Sequence, residues 1–205
     1  MSGRINATFA VTKVRLDEDG HVTQVDTRGD TVAGEEPLEI RVGGQTLTTT
    51  MRTPGHDVEL THGFLHSEGH IDKASDIQEA RYCAGASVDG RNPYNLLDVE
   101  FTNPHPIALT DLRLTTTTSA CGVCGTSSIE ALMKQTRYEI PRVPVDPGVV
   151  AKLPGALKRE QKQFRKTGGI HAAGAFTLGG EPIVIREDVG RHNAADKVIG
   201  HLLRS

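Results

Sequence analysis

Two alternating runs, residues 38–42 (Leu-Glu-Ile-Arg-Val) and 45–51, are separated by nothing but Gly43-Gly44. A two-residue connection leaves room only for an antiparallel return, because parallel neighbours need a crossover of a dozen residues or more. Residues 8–16 and 21–27 alternate in the same way around Asp17-Glu18-Asp19-Gly20, and 77–83 and 96–101 read as a further strand pair. Thr53-Pro54-Gly55 breaks this pattern and leads into a helix expected over about 57–67, with Leu60 and Phe64 on its inner face and Gly69 as its stop. The first half therefore reads as a largely antiparallel β region, residues 1–112.

The second half, 113–205, reads as an α/β region, and it opens on reactive-thiol chemistry. A β-branched run at 114–118 predicts a strand, and directly after it comes Ser119-Ala120-Cys121-Gly122-Val123-Cys124-Gly125. Ser127 and Glu130 have capping-box spacing ahead of Ala131, Leu132 and Met133, so a helix is expected to begin beside the two thiols. Glycines let the backbone approach a bound group, and a sulfur near the positive end of a helix has its thiolate stabilised. Such a thiol is a nucleophile or a sulfur carrier. The rival readings are a zinc half-site completed by Cys83, His171 or His192, a thioredoxin-like pair, an iron–sulfur site and a structural pair. Three cysteines are too few for most iron–sulfur clusters, and no second CxxC completes a zinc site.

Beyond the thiols, Pro141, Pro144 and Pro147 mark an extended connector. A charged helix is expected over 157–166, ended by Gly168-Gly169, and its basic residues read as a solvated face. Residues 171–177 and 182–185 read as a hairpin around Gly179-Gly180. The chain then runs Arg186-Glu187-Asp188-Val189-Gly190-Arg191-His192-Asn193-Ala194-Ala195-Asp196-Lys197. Strand end, glycine turn and helix start in that order present backbone N–H groups to an anion. Arg191 adds a clamp for phosphate and His192 a hydrogen bond or a proton. The competing reading is a capped helix, with inner face Ala195, Val198, Ile199 and Leu202, whose Asp188, Arg191 and Asp196 form local ion pairs. A second histidine pair, His62 and His66, has metal-binding spacing on the first helix, but Gly63 stands where a zinc peptidase helix carries glutamate, so both are expected on a solvated face.

Composition removes several classes. A net charge of −3 gives no general attraction to nucleic acid or membrane, and 4% aromatic residues with no tryptophan argue against a base-stacking surface. No stretch is apolar enough to span a bilayer, and the amino terminus is too polar for a signal peptide. Three cysteines suit a reducing cytoplasm.

Taken together, the Cys121-to-Gly125 element, Gly168-Gly169-Ile170-His171-Ala172-Ala173 and the segment from Glu187 to Lys197 resemble the FdhD family of formate dehydrogenase accessory sulfur carriers. Glu35-Glu36-Pro37-Leu38-Glu39-Ile40 and Gly63-Phe64-Leu65-His66-Ser67-Glu68-Gly69 resemble that family's amino-terminal half. The resemblance implies a cytoplasmic homodimer whose catalytic half is similar to the cytidine deaminase fold. It implies sulfur received as a persulfide from a cysteine desulfurase and passed to the molybdenum cofactor carrying guanine dinucleotides, with formate dehydrogenase as client. On that resemblance Cys121 is the persulfide carrier and Cys124 an auxiliary thiol; His171, Gly190, Arg191, His192 and Lys197 are expected around the anionic cofactor, and no tightly bound metal is expected. Family members continue past the helix that ends this chain, so a carboxy-terminal truncation of the pocket is expected. The alternative is a cofactor- or zinc-binding chaperone whose Cys121 and Cys124 are ligands.

Overall fold

The computed structural model describes residues 5–83, 94–103, 116–117 and 141–205, the pair 116–117 as backbone. The first hairpin, β1 (Asn6–Leu16) and β2 (Val22–Ala33), is a two-stranded ribbon separate from the other sheets. Asp17 shapes its turn, accepting the N–H of Asp19 and of His21 on Oδ1 at 3.0 and 2.8 Å.

β3 (Glu36–Val42) and β4 (Gln45–Arg52) return antiparallel around Gly43 and Gly44, whose φ values of 56° and 80° are those a two-residue turn demands. β5 (Ile77–Tyr82) and β6 (Leu96–Phe101) form the second antiparallel pair. The two hairpins then join through a parallel contact of β3 with β6, and β7 (Thr116–Thr117) adds in parallel to β4, giving the order β5-β6-β3-β4-β7. The architecture is thus mixed α+β with an antiparallel-rich amino-terminal region, and the parallel joins are the part that local turn signals do not encode. Leu38, Ile40, Leu97 and Val99 project from one face onto Leu60 and Leu65 of α1 (Asp57–Ser67), each no more than 1% exposed. Alternation in the strands and the four-residue spacing in the helix make that core.

In the second half Asp146 caps α2 (Pro147–Val150), accepting the Gly148 N–H at 2.7 Å. The charged helix expected as one piece is two, α3 (Leu153–Glu160) and α4 (Lys162–Thr167), parted where Gln161 leaves helical geometry at ψ 89°. The cause is a remote cap: Glu187 accepts the N–H groups of Gln163 and Phe164, both at 2.8 Å, and so fixes a new helix start. Gly168 ends α4 with φ 69°. β8 (His171–Phe176) and β9 (Pro182–Asp188) form the expected hairpin, and β9 leads into α5 (Arg191–Arg204).

α5 lies against α1 with almost nothing between them. A Cβ on Gly63 would stand 1.9 Å from the Asp196 carbonyl oxygen, and one on Gly200 would stand 1.8 Å from that of Glu59. Only glycine permits that crossing. The approach also rotates the inner face of α5 from the expected one: Val198 is buried as expected, but Asn193, Ala194, Lys197 and Gly200 are buried with it, Ala195 and Ile199 are only partly covered, and Leu202 is 43% exposed.

Candidate functional site

Asp188, the last residue of β9, is fully buried and makes the junction of the site. Its Oδ2 accepts from Lys197 Nζ at 2.7 Å and from the Thr53 N–H at 3.1 Å; its Oδ1 accepts from the Gly190 N–H at 2.8 Å and from Asn193 Nδ2 at 3.2 Å. Lys197, 1% exposed, also donates to the Thr53 carbonyl at 2.8 Å, and the Val189 N–H donates to Thr53 Oγ1 at 3.1 Å. A buried charge pair is tolerable only when its remaining lone pairs and protons are met in this way. The effect is to weld the glycine turn to the end of β4.

The sequence motif therefore divides into two sets. Asp188, Asn193 and Lys197 face inward and shape the turn. Arg191 and His192, on the first turn of α5, are exposed, as is His171, which pairs with Asp188 across the β8–β9 register. His171, Gly190, Arg191 and His192 thus share one end of the β8–β9 hairpin, whereas Lys197 points away from them into the interior. The Gly190 N–H is already engaged by Asp188. Of the local ion pairs in the competing reading, Asp188 pairs with Lys197, and Asp196 accepts the hydroxyl of Ser67 at 2.8 Å. Cys121 and Cys124 lie outside the described residues.

The described residues nearest to Cys121 in sequence are those of β7. β7 sets Thr116 beside Thr49 and Thr117 beside Thr50, running in the direction of β4 toward Thr53. Thr50 Oγ1 donates to Asn193 Oδ1 at 3.2 Å, and Asn193 Nδ2 donates to the Met51 carbonyl at 2.7 Å. The strand that enters the cysteine segment is thereby laid against the strand that holds the glycine turn.

A second cluster escapes sequence reasoning. Arg186 grips Glu59 with both ends of its guanidinium, Nε to Oε2 at 2.6 Å and Nη2 to Oε1 at 2.8 Å. His201 Nδ1 lies 3.0 Å from Glu59 Oε1, and His56 Nδ1 lies 3.2 Å from Oε2. Burial pushes the Glu59 carboxyl up, but the Arg186 and His201 hydrogen bonds outweigh it and hold the group down at about 2. Burial, then the charge of Arg186, lowers His56, which favours the neutral imidazole. His56 caps α1 from the left-handed region at φ 58°, an uncommon conformation for a side-chain-bearing residue. His56, Arg186 and His201 line a cleft of about 540 Å3 together with Thr53, Lys162 and Lys197. Its members lie 127 and 142 residues apart in sequence, so no local spacing signals them.

The first-helix histidines correct an expectation. His62 is buried, with Nδ1 2.7 Å from the Val58 carbonyl, and burial lowers its pKa. His66, half-buried, places Nδ1 3.2 Å from the Ile71 carbonyl. Neither lies on a solvated face, because α5 covers that side of α1.

Comparison with known proteins adds an independent line. A sequence profile of the FdhD/NarQ family matches residues 33–205. The sulfur carrier protein FdhD of Corynebacterium efficiens is 56% identical over 184 residues, covering 87% of this chain and 66% of that protein. The protein of the same name from Nocardia farcinica is 51% identical over 206 residues, covering 100% of this chain and 71% of its own length. The chain spans about two thirds of the length of these relatives. Among solved structures, one described as a formate dehydrogenase accessory protein from Desulfotalea psychrophila superposes with a TM-score of 0.65. It covers 98% of this chain and 67% of its own, at 20% identity, a likeness of fold.

Proposed function

Because the chain belongs to the FdhD/NarQ family, we propose that it is a sulfur carrier that serves formate dehydrogenase maturation in the cytoplasm. Cys121 receives sulfur from a cysteine desulfurase: its thiolate attacks the terminal sulfur of the donor persulfide, the donor S–S bond breaks, and the donor leaves as thiolate. The sulfur held on Cys121 then passes to the molybdenum cofactor in its guanine dinucleotide form, the acceptor substrate. Cys124 is the auxiliary thiol that helps receive the sulfur or resolves the persulfide: its thiolate attacks the inner sulfur on Cys121, the S–S bond to the outer sulfur breaks, the Cys121–Cys124 disulfide forms, and the outer sulfur leaves as sulfide. His171, the Gly190 turn, Arg191 and His192 meet the anionic acceptor, and Lys197 supports them from inside through Asp188. In this reading residues 113–205 form a catalytic half similar to the cytidine deaminase fold, and the protein works as a homodimer.

The observation that carries the reading is the β4–β7 pairing. Thr117 precedes Cys121 by four positions, and it lies beside Thr50, which is hydrogen-bonded to Asn193 in the same buried network as the glycine turn. A carrier thiol and an anion-facing turn that are to act on one ligand need such a common anchor.

Incubation with a cysteine desulfurase and cysteine, followed by intact-mass analysis, tests it. One added sulfur, about 32 Da, is expected on Cys121. The adduct is expected to vanish in Cys121→Ala without loss of fold. An adduct that persists in that variant, or maps to Cys83, overturns the carrier assignment.

A further inference from the structure

The β1–β2 ribbon has two chemically different faces. The register puts Ala10 opposite Gly29, Thr12 opposite Thr27, Val14 opposite Val25 and Leu16 opposite Val22, and directly opposed residues share a face. That face, continued by Thr8 and Thr31, holds no charged side chain from one end to the other. The opposite face is mixed: it carries Lys13, Arg15, Asp26, Arg28 and Asp30 interleaved with Phe9, Val11 and Val32, so covering it would desolvate charge. Both faces are open to solvent over the outer part of the ribbon: Val14, Leu16, Val22 and Val25 are 52%, 59%, 59% and 61% exposed. The hydroxyls of Thr12 and Thr27 share one hydrogen bond at 3.0 Å, and those of Thr8 and Thr31 lie 3.5 Å apart.

An isolated two-stranded ribbon is marginal in water, and a charge-free face of this length is the kind that another layer covers. We infer that the occupant is a second copy of this chain, packed ribbon against ribbon through the Thr8–Leu16 and Val22–Thr31 face; the inference rests on the homodimer reading above and names its surface. The choice follows from complementarity. A two-fold arrangement lays the uncharged face on itself and strips water from no charge, while the charged faces stay in solvent. Ala10 and Gly29, side by side at mid-ribbon, carry almost no side chain and let the two ribbons close to the spacing of stacked sheets. The valine–leucine tips supply the apolar contact.

Size sets the strength. The face is about 30 Å long and about 10 Å wide, so two of them together cover roughly 600 Å2 in projection. That is the scale of a weak, reversible interface. The dimer is therefore concentration-dependent.

Sedimentation across a hundredfold range of protein concentration tests the inference on the whole chain. The parent chain is expected to pass from monomer to dimer across that range. Val14→Asp with Val25→Asp, which buries two carboxylates in each copy's contact face, is expected to raise the dissociation constant at least tenfold. Arg15→Glu, on the other face, is expected to leave it unchanged. Hydrogen exchange on the parent chain gives a readout free of mutation: amides of 8–16 and 22–31 are expected to exchange more slowly at the higher concentration. A parent chain that dimerises while the double variant dimerises equally well, with exchange in the ribbon indifferent to concentration, overturns this surface and leaves the homodimer standing. A parent chain that is monomeric throughout overturns both.

Discussion

Two carboxylates fasten α5 to the rest of the molecule, and they are built in opposite ways. Asp188 is sealed: it is 0% exposed, both its oxygens accept two hydrogen bonds, and its cation is 1% exposed. Glu59 stands at the rim of the cleft, 11% exposed, facing an arginine and two histidines that still meet solvent. The first is an all-or-none structural joint, since removing either partner strands a charge in the interior. The second is a tunable one, because its partners are accessible to water, to protons and to a ligand in the cleft. The exposed residues that the sequence nominated for the anion, Arg191 and His192, rest on the sealed joint and not on the tunable one.

The sharpest way to break the comparison is to remove Asp188. Asp188→Ala leaves Lys197 buried and unpaired and frees the Gly190 turn, so a loss of about 3–5 kcal/mol is expected in urea unfolding. A loss below about 1 kcal/mol would place the two joints in the same class.

Arg186→Met should have a smaller effect, about 1–2 kcal/mol, because the side chain is partly screened at 16% exposure. Its signature is in the acid limb. The Glu59 carboxyl is held near 2 in the folded chain, against an ordinary value near 4.5. The stability it contributes is therefore complete above about 4.5 and is lost as pH falls toward 2. Without Arg186 the burial penalty dominates, and the acid limb of a stability–pH curve is expected to move to higher pH. An unmoved limb would remove Glu59 from its control.

Asp196 gives the smallest effect and the opposite sign. Burial in the α1–α5 seam, with Glu68 nearby, pushes its carboxyl up to about 7 from an ordinary 3.8, against the pull of the Ser67 hydroxyl. The folded chain thus prefers the protonated form. Its contribution is present below about 3.8 and is lost as pH rises through 7. Asp196→Asn keeps an acceptor for Ser67 and removes the titration. At pH 8 it is expected to be the more stable chain by about 1 kcal/mol, a figure reduced for the residue's partial exposure. Thermal melts at pH 5 and pH 8 check it: the variant's advantage should be smaller at pH 5, part-way through the window, and full at pH 8.

What was legible beforehand follows range of interaction. Gly43-Gly44, Asp17-to-Gly20 and Gly179-Gly180 each specify a turn from neighbouring atoms, and the strands they join are where the alternation places them. The helix expected over 157–166 is interrupted because Glu187, on a distant strand, caps its second part. The expected inner face of α5 holds at Val198 and fails at Leu202, because Gly63 and Gly200 decide how the helix approaches α1, and a close crossing of two glycines leaves no hydrophobic periodicity to read. At the site, the motif from Asp188 to Lys197 was legible as a unit, but its division into inward and outward residues depends on Thr53, 135 residues away from Asp188. The partnership of Glu59 with Arg186 is likewise a product of the fold alone.

The glycine seam has a mechanical consequence. Side chains between two helices act as bearings that can change rotamer and let one helix slide over the other. Here backbone meets backbone at both crossing points, so α1 and α5 can only travel as a single beam. β9 is bolted to that beam at two places, Asp188 to Lys197 and Arg186 to Glu59, and α4 is fixed to β9 through Glu187. The walls of the cleft therefore share one rigid frame. Thr53 belongs to that frame, so among the described residues the compliant point is Gly55-His56, with φ 109° and 58°, and it is at that short spring, at the foot of the beam, that an opening or closing of the cleft would bend.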